Sequence, residues 1–198
     1  MSTTPHSTIH AEGAERTTFG FWVYLMTDCI LFASLFAVYA VLRNSTFGGP
    51  SGHELFKLPF VLRETLILLT SSFTCGLAVL AAYRGSKSQT LAWFTTTLVL
   101  GLSFLAMELS EFSSLIHEGH GPQSSGFLSA FFTLLGTHGL HIAIGSIWLV
   151  VLFAHILKRG LTPGTLTRLT CFSLFWHFLD IVWIFIFTLV YLLGSTGR

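Results

Sequence analysis

The chain alternates between long apolar runs and short polar stretches, and five of the runs are long enough to cross a bilayer. A membrane-spanning helix needs roughly 20 mostly apolar residues. The pattern predicts spans over residues 19–42, 60–83, 90–112, 127–157 and 169–193. The fourth run is too long for one perpendicular crossing, so it is expected to tilt or protrude. We therefore predict an all-α integral membrane protein with five transmembrane helices.

The polar segments complete this organisation. Residues 1–18 contain no apolar run directly after a basic start and no small-residue cleavage motif, so we predict an uncleaved polar tail. His6 and His10 in that tail could bind a metal, but we favour a disordered segment. Glycine and proline at residues 48–52 predict a turn in the first loop. With no repeat and no long linker, residues 19–195 are predicted to form a single membrane domain.

Composition supports the membrane class. Of the 198 residues, 52% are hydrophobic and only 10% are charged, which is far from the composition of soluble domains. The net charge is +1 and no basic stripe occurs, so nothing indicates a nucleic-acid partner. The three cysteines lie in apolar runs without a C-x-x-C pair. A disulfide or zinc framework is therefore not expected.

Basic residues predict how the chain is oriented in the membrane. With five spans, the tail and the loops after spans two and four share one side. That side carries Arg16, Arg84, Lys87, Lys158, Arg159 and Arg168. The other side carries Arg43, Lys57 and Arg198, with Arg63 just inside span two. Because positive residues accumulate in the cytoplasm, we predict a cytoplasmic N-terminus and a periplasmic C-terminus.

Polar residues inside the predicted spans are the candidate functional residues. They are Asp28, Glu64, Glu108, Glu111, His138, His141, His177 and Asp180. A charge at the centre of a bilayer costs on the order of 3 kcal/mol on insertion scales, so these side chains should face protein or water. Asp28 lies about 14 Å inside the first span at 1.5 Å per residue. It is therefore expected to be neutral or hydrogen-bonded.

Two pairs of these residues have helical spacing. His138 and His141 share one face of span four, and His177 and Asp180 share one face of span five. His138 and Asp180 come to similar depths, about 17 Å and about 16 Å from opposite sides. The residues leave three roles open: haem or metal ligation, a proton relay with Asp180, or hydrogen bonds that fix helix packing. We favour packing, and we predict that Asp180 accepts a hydrogen bond from a span-four histidine.

The glutamates lie nearer the ends of their spans. Glu108 and Glu111 share a face of span three, and paired carboxylates suit a metal or a proton acceptor. Their positions favour a simpler arrangement in the headgroup region, in contact with water or Arg63. Glu64, in the first turns of span two, is expected to pair with Arg63 or to reach the interface. We assign no catalytic, cofactor-binding or metal-binding role to any of these residues.

Two long motifs identify a family. The runs at residues 136–141, with Gly145, and at residues 175–183 closely resemble the hallmark runs of subunit III of haem-copper respiratory oxidases. The glutamates of spans two and three occur in the order found in that family. The resemblance covers about residues 19–195. Cytochrome c oxidase subunit III usually has seven spans, whereas this chain resembles the five-span form of the bo-type ubiquinol oxidases. Asp28 stands where cytochrome c oxidase relatives more often carry a glutamate.

The resemblance implies an accessory, non-redox subunit of a complex that oxidises ubiquinol, reduces oxygen to water and moves protons outward. It implies that this chain holds no cofactor, that haem b, haem o and copper lie in subunit I, and that subunit I contacts this chain directly. Subunits II and IV and membrane phospholipids are the other implied partners, in a bacterial inner membrane. The expected roles are assembly, integrity of the complex and lipid retention. The alternative is a stand-alone membrane protein for haem binding or proton transport.

Overall fold

The computed structural model of the chain describes residues 5–46 and 58–196, with side chains for residues 13–46 and 58–194. These residues form helices and no strand. The helices are α1 (Pro5–Leu42), α2 (Leu58–Tyr83), α3 (Lys87–His117), α4 (Gly126–Arg159) and α5 (Pro163–Ile186), followed by a π-helix (Phe187–Leu192) and a short α6 (Leu193–Thr196). The predicted turn at residues 48–52, Lys57, Arg198 and the side chains of His6 and His10 lie outside this description.

The prediction of five spans is confirmed. Five helical segments of the described chain are long and apolar enough to cross a membrane: Gly13–Leu42, Leu58–Tyr83, Lys87–His117, Gly126–Arg159 and Pro163–Leu192. The fourth has 34 residues, or about 51 Å at 1.5 Å per residue. The hydrocarbon core is roughly 30 Å thick. Helix α4 must therefore tilt strongly or protrude.

Helix α1 begins well before the apolar run. It starts at Pro5, so the prediction of a disordered tail is wrong for residues 5–18. Proline is tolerated in the first turn of a helix, and the alanine, glutamate and arginine that follow are good helix formers. The Thr17 hydroxyl also donates to the Gly13 carbonyl at 2.9 Å. Local propensity therefore extends the first span with a polar helical segment.

Short connections join α2 to α3 and α4 to α5. Gly85 (φ 76°) and Gly160 (φ 72°) have positive φ angles just after a helix ends, and such angles favour glycine. After Gly160, the Thr162 hydroxyl caps α5 by accepting the Thr165 N–H at 3.3 Å, with Pro163 in the first helical turn. Such tight turns force the joined helices to run antiparallel and adjacent.

Helix α5 lies at the centre of the helix contacts. It packs against α1, α2 and α4, while α4 packs against α1, α3 and α5, and α2 packs most extensively against α3. Helix α5 thus lies between α1 and α2. The run at residues 175–183, which the sequence analysis singled out, therefore contacts most of the other spans.

A buried tryptophan of α5 contacts three other helices. The Nε1–H of Trp176 donates to the Ser71 hydroxyl at 3.2 Å, and that hydroxyl donates to the Thr97 carbonyl at 3.1 Å. The indole fills a space left by two glycines: a Cβ added at Gly101 would lie 2.8 Å from Cζ2, and one at Gly145 would lie 3.0 Å from Cζ3. Glycines on α3 and α4 and a serine on α2 thus make room for one large side chain and anchor it.

A second tryptophan repeats this arrangement two turns later. The Nε1–H of Trp183 donates to the Thr65 hydroxyl at 3.0 Å. Its ring stands edge-on to Phe104 at a centroid distance of 4.6 Å and lies 5.2 Å from the His138 ring. Trp183 is 1% exposed. Helices α2, α3 and α4 therefore all meet α5 at this side chain.

Candidate functional site

The polar residues predicted inside the spans fall into three groups. The histidine group consists of Asp28, His138 and His141. The carboxylate group consists of Glu64, Glu108, Glu111 and the unpredicted Tyr191. The His177 group consists of Ser72, also unpredicted, with His177 and Asp180.

His138 is enclosed by aromatic rings and tied to α5. Its Nε2–H donates to the Leu179 carbonyl at 3.3 Å, and its ring meets the Phe104 ring edge-on at 5.7 Å. The side chain is fully buried, and Nδ1 has no hydrogen-bond partner among the described residues. One ring nitrogen thus links two helices, and the surrounding rings leave no open approach to the imidazole. This geometry supports a packing role.

His141 faces α1. Its Nδ1–H donates to the Thr137 carbonyl at 2.7 Å in its own helix, and Nε2 lies 3.9 Å from Oδ2 of Asp28. The Phe32 ring lies 5.2 Å from the imidazole. The Asp28 carboxyl, deep in the first span, therefore has a basic neighbour across the helix interface.

The predicted hydrogen bond between Asp180 and a span-four histidine is wrong. His138 bonds the backbone at Leu179, one residue away, and His141 turns to Asp28. The nearest histidine nitrogen to Asp180 is Nδ1 of His177 in the same helix, 3.7 Å from Oδ2. That distance is too long for a hydrogen bond. Matching depth was the basis of the prediction, but the rotation of each helix about its axis decides which side chains meet.

Glu64 does not pair with Arg63, and this expectation is also wrong. Glu64 is 0% exposed, and neither carboxyl oxygen has a hydrogen-bond partner among the described residues. The Arg63 guanidinium instead donates to the Pro59 carbonyl at 3.3 Å and stacks over Phe60. Successive helical residues point about 100° apart, so one side chain can extend toward the interface while its neighbour turns inward.

Glu108 lies in the interior and not in the headgroup region that the sequence favoured. It is 1% exposed, and both carboxyl oxygens lack a hydrogen-bond partner among the described residues. A Cβ added at Gly139 would lie 2.6 Å from Oε2 of Glu108. The carboxyl group therefore occupies a notch that the glycine of the 136–141 run leaves open. Any larger residue at position 139 would collide with the Glu108 carboxyl group.

Glu111 is bonded by a tyrosine that the sequence analysis did not identify. The Tyr191 hydroxyl donates to Oε2 of Glu111 at 2.8 Å, and Tyr191 is fully buried. It lies in the π-helix, Phe187–Leu192. Such one-turn π segments shift the register of a helix and occur often at functional positions. Because a buried tyrosine hydroxyl usually has a hydrogen-bond partner, Tyr191 could have been identified from the sequence as a candidate partner for a buried carboxylate.

The His177 group differs from the others in its exposure. Nδ1 of His177 shares a hydrogen bond with the Ser72 hydroxyl of α2. The His177 side chain is 43% exposed, whereas Asp180 beside it is 9% exposed. A small polar residue of α2 therefore holds this imidazole in place.

The three groups have limited chemical capability of their own. Among the described residues, no set of three or more histidine, cysteine, aspartate or glutamate side chains could hold a metal ion. The carboxylate group brings Glu64 of α2 close enough to Glu108 and Glu111 of α3 for their carboxyl groups to interact electrostatically. In the histidine group, His138 and His141 each donate one ring N–H to a backbone carbonyl, which leaves one nitrogen each for another contact. The arrangement suits helix packing better than ligand chemistry.

An open groove lies where α1, α2 and α5 approach one another at one end of the bundle. Its lining includes Thr18, Phe19 and Trp22 of α1, Tyr83 of α2 and Thr170 of α5. The Tyr83 and Thr170 hydroxyls are hydrogen-bonded at 2.9 Å. Tryptophan and tyrosine favour the headgroup level of a bilayer because they combine an apolar ring with a polar atom. The groove therefore has the composition expected of a lipid contact.

The chain is similar over nearly its whole length to proteins of one kind. The family model described as cytochrome c oxidase subunit III matches residues 4–195. A Pseudomonas aeruginosa protein named cytochrome bo(3) ubiquinol oxidase subunit 3 is 58% identical over 190 residues, which cover 96% of this chain and 90% of that protein.

Two Bacillus proteins show the breadth of the similarity. A Bacillus subtilis protein named quinol oxidase subunit 3 is 46% identical over 187 residues, covering 94% of this chain and 92% of that protein. A Bacillus sp. protein named cytochrome c oxidase subunit 3 is 46% identical over 193 residues, covering 98% of this chain and 93% of that protein. Two relatives that are equally similar to this chain are thus named for different electron donors, quinol in one case and cytochrome c in the other.

Proposed function

The chain belongs to the cytochrome c oxidase subunit III family, and we propose that it is the non-redox subunit 3 of a ubiquinol oxidase complex in an aerobic respiratory chain. The main support is the 58% identity, over almost the full length of the chain, to a relative named for that subunit and that complex. The complex would oxidise ubiquinol, reduce oxygen to water and move protons outward. This chain is a multi-pass membrane protein and contributes no redox centre.

The proposal includes the partners that the resemblance implies. Haem b, haem o and copper would lie in subunit I, in direct contact with this chain, and subunits II and IV would complete the complex. The membrane would be the bacterial inner membrane. Two polar residues of the interior support a structural role for this chain: His138 donates to a backbone carbonyl of α5, and Glu111 accepts from Tyr191.

Lipid retention is the second part of the proposed role. The groove at Trp22, Tyr83 and Thr170 combines aromatic rings with hydroxyl groups where α1, α2 and α5 meet. A phospholipid could place its glycerol and headgroup against the hydroxyls and an acyl chain along the apolar wall. The subunit would then hold lipid against the complex while it stabilises the assembly.

Purification through a tag on this chain tests the function. We expect a complex that contains a haem-bearing large subunit and oxidises ubiquinol. A complex that oxidises reduced cytochrome c and not ubiquinol would assign the chain to the other branch of the family. A haem absorption band on this chain alone, with no partner subunit, would favour the stand-alone haem-binding alternative.

Orientation is the third part of the proposal. Lys87, the first residue of α3, donates to the Leu157 carbonyl near the end of α4 at 3.1 Å, so the two basic connections lie together. Six basic residues on this side favour the cytoplasm. A reporter that is active only in the periplasm should be active when fused after Arg198 and inactive after Lys87. The reverse pattern would overturn the orientation.

A further inference from the structure

An imidazole is exposed at the depth where a bilayer offers only hydrocarbon. The fifth span runs from Pro163 to Leu192, so His177 lies fourteen residues from one end and fifteen from the other. Its side chain is 43% exposed. A polar group at this depth is costly unless it finds a partner, since acyl chains neither donate nor accept hydrogen bonds. The exposed side of His177 therefore requires something other than lipid tails.

The nitrogen available for such a partner is Nε2. The Ser72 hydroxyl engages Nδ1 and fixes the ring against α2. Nε2 has no hydrogen-bond partner among residues 13–46 and 58–194. With one nitrogen held from within the chain, the imidazole presents the other with a defined direction. It can donate or accept there, depending on its tautomer.

The surface around His177 has the shape of a helix contact. An open groove is lined by His177 and, from α2, by Leu69, Ser72, Phe73, Gly76, Leu77 and Leu80. Ser72 and Gly76 are four residues apart, the small-residue spacing that lets helix backbones approach closely in membranes. A Cβ added at Gly76 would meet nothing within 4 Å, so the notch is open.

The apolar rim of the groove extends along the membrane normal. Leu69, Phe73 and Leu80 are 43%, 67% and 46% exposed. From Leu69 to Leu80 the helix rises about 16 Å. A lipid acyl chain or a quinone tail could cover that length but offers His177 no hydrogen-bonding group, and a quinone ring or a lipid headgroup would cover only part of it. A transmembrane helix would cover all of it and could bring a polar side chain or a freed carbonyl to His177.

We propose that this groove, residues 69–80 of α2 with His177, docks a transmembrane helix of another oxidase subunit, and that this helix hydrogen-bonds Nε2 of His177. The proposal rests on the proposed function, because it requires that the chain be part of a complex. The partner helix is apolar apart from a hydroxyl, amide or unpaired backbone carbonyl at mid-membrane. It passes closest at Ser72 and Gly76.

Photo-crosslinking in native membranes tests the identity of the occupant. Phe73 in the groove and Val99 on α3, which is 57% exposed, would each be replaced by benzoylphenylalanine. We expect the probe at position 73 to form an adduct with another subunit of the purified oxidase. Adducts at position 73 with lipid or quinone alone would overturn the proposal, as would an adduct with a protein outside the complex. The probe at position 99 reports the adducts formed at an apolar face without a histidine.

A second experiment blocks the groove without disturbing the chain's own packing. Gly76→Trp fills the open notch, and Gly20→Trp is its control, because a Cβ at Gly20 also meets nothing within 4 Å. Each glycine lies seven residues from one end of its span, Tyr83 and Gly13 respectively. After detergent extraction we expect Gly76→Trp to lower the amount of this subunit per complex about threefold to tenfold. Gly20→Trp should leave that ratio at the wild-type value.

Substitutions of the histidine complete the test. His177→Leu should lower retention and His177→Gln should restore part of it, because glutamine keeps a hydrogen-bonding group. Equal retention for wild type, His177→Leu and Gly76→Trp would overturn the docking proposal while leaving the proposed function intact. Failure of the wild-type chain to co-purify with an oxidase would instead refute the proposed function.

Discussion

Replacing Gly101 with leucine is expected to prevent stable incorporation of the subunit, and replacing it with alanine is expected to weaken incorporation. An added Cβ would lie 2.8 Å from Cζ2 and 2.9 Å from Cη2 of Trp176. The indole is 0% exposed and its Nε1–H is bonded to Ser71. On its other side the ring is closed by Gly145. It cannot move aside without losing one of these contacts.

Two opposing effects decide the size of the change. Alanine in place of glycine favours a helix by about 1 kcal/mol. Overpacking of a tight interior costs about 1–3 kcal/mol for each added group. For alanine we expect a net loss of about 1 kcal/mol. Leucine adds three further carbons to the same closed space. We therefore expect its packing cost to exceed the stability that the helix contacts provide.

The measurement is the amount of this subunit retained per complex after detergent extraction at graded temperature. Gly20→Ala is the control, since its Cβ would enter open space, and it should match or exceed the wild type. Trp176→Phe removes the part of the indole that the Cβ would meet, so Gly101→Ala should lower retention less in a Trp176→Phe background than in the wild type. Wild-type behaviour of Gly101→Leu would show that the glycine notch does not constrain the packing.

Hydropathy alone predicted the number of spans. Long apolar runs have few alternatives in a membrane, where backbone groups must be bonded internally. The early start of α1 at Pro5 was missed, because the prediction was based on apolar residues and the first residues form helix through local propensity. The length and polarity of a run therefore predict where a helix crosses the membrane better than they predict where the helix begins.

Which side chains meet could not be predicted in the same way. Spans that are apolar on every side carry little periodic information about the face that is buried. Depth placed His138 near Asp180, but the structure turns His138 to the Leu179 carbonyl and His141 to Asp28. The rotation of each helix is set by interlocking side chains, such as the Trp176 ring between Gly101 and Gly145. That fit depends on several helices at once.

The inward turn of the glutamates shows the same limit. Sequence position near a helix end suggested an interfacial environment for Glu64 and Glu108, yet both are buried. Arg63 does reach back toward the chain end, bonding the Pro59 carbonyl. The two neighbours separate because their directions on the helix differ by about 100°. Two residues at nearly the same depth, Arg63 and Glu64, therefore have different environments, one toward the chain end and one in the interior.

Helix α5 uses one repeated device to hold α2. Trp176 and Trp183 are seven residues apart, which places them on nearly the same helix face. Their Nε1–H groups donate to Ser71 and Thr65 respectively, so the order of the partners reverses along α2. That reversal is what antiparallel helices require. The shared face could be predicted from the spacing, whereas the hydroxyl partners could not.

Replacing Trp183 with alanine is expected to reduce the stability of the subunit more than any other large-to-small substitution at this interface. The ring fills the space between Thr65 of α2, Phe104 of α3 and His138 of α4. Truncation would leave a cavity and remove the donor to Thr65 Oγ1, whose own O–H would still donate to the Val61 carbonyl at 2.9 Å. Loss of a buried tryptophan costs about 3–5 kcal/mol in soluble cores. In a membrane we expect about 2–4 kcal/mol, because lipid is as apolar as the interior and only packing is lost.

Two further variants separate the parts of this effect. Trp183→Phe keeps most of the ring and removes the hydrogen bond to Thr65, so it should cost about 1 kcal/mol plus a smaller cavity term. Trp93→Ala on α3 is the control, because Trp93 is 38% exposed and its removal leaves no enclosed cavity. Its cost should stay below about 1 kcal/mol. Thermal retention of the subunit in the purified complex should therefore decrease from wild type and Trp93→Ala, through Trp183→Phe, to Trp183→Ala. If Trp183→Ala and Trp93→Ala were retained equally, the role of Trp183 as the contact shared by four helices would be refuted.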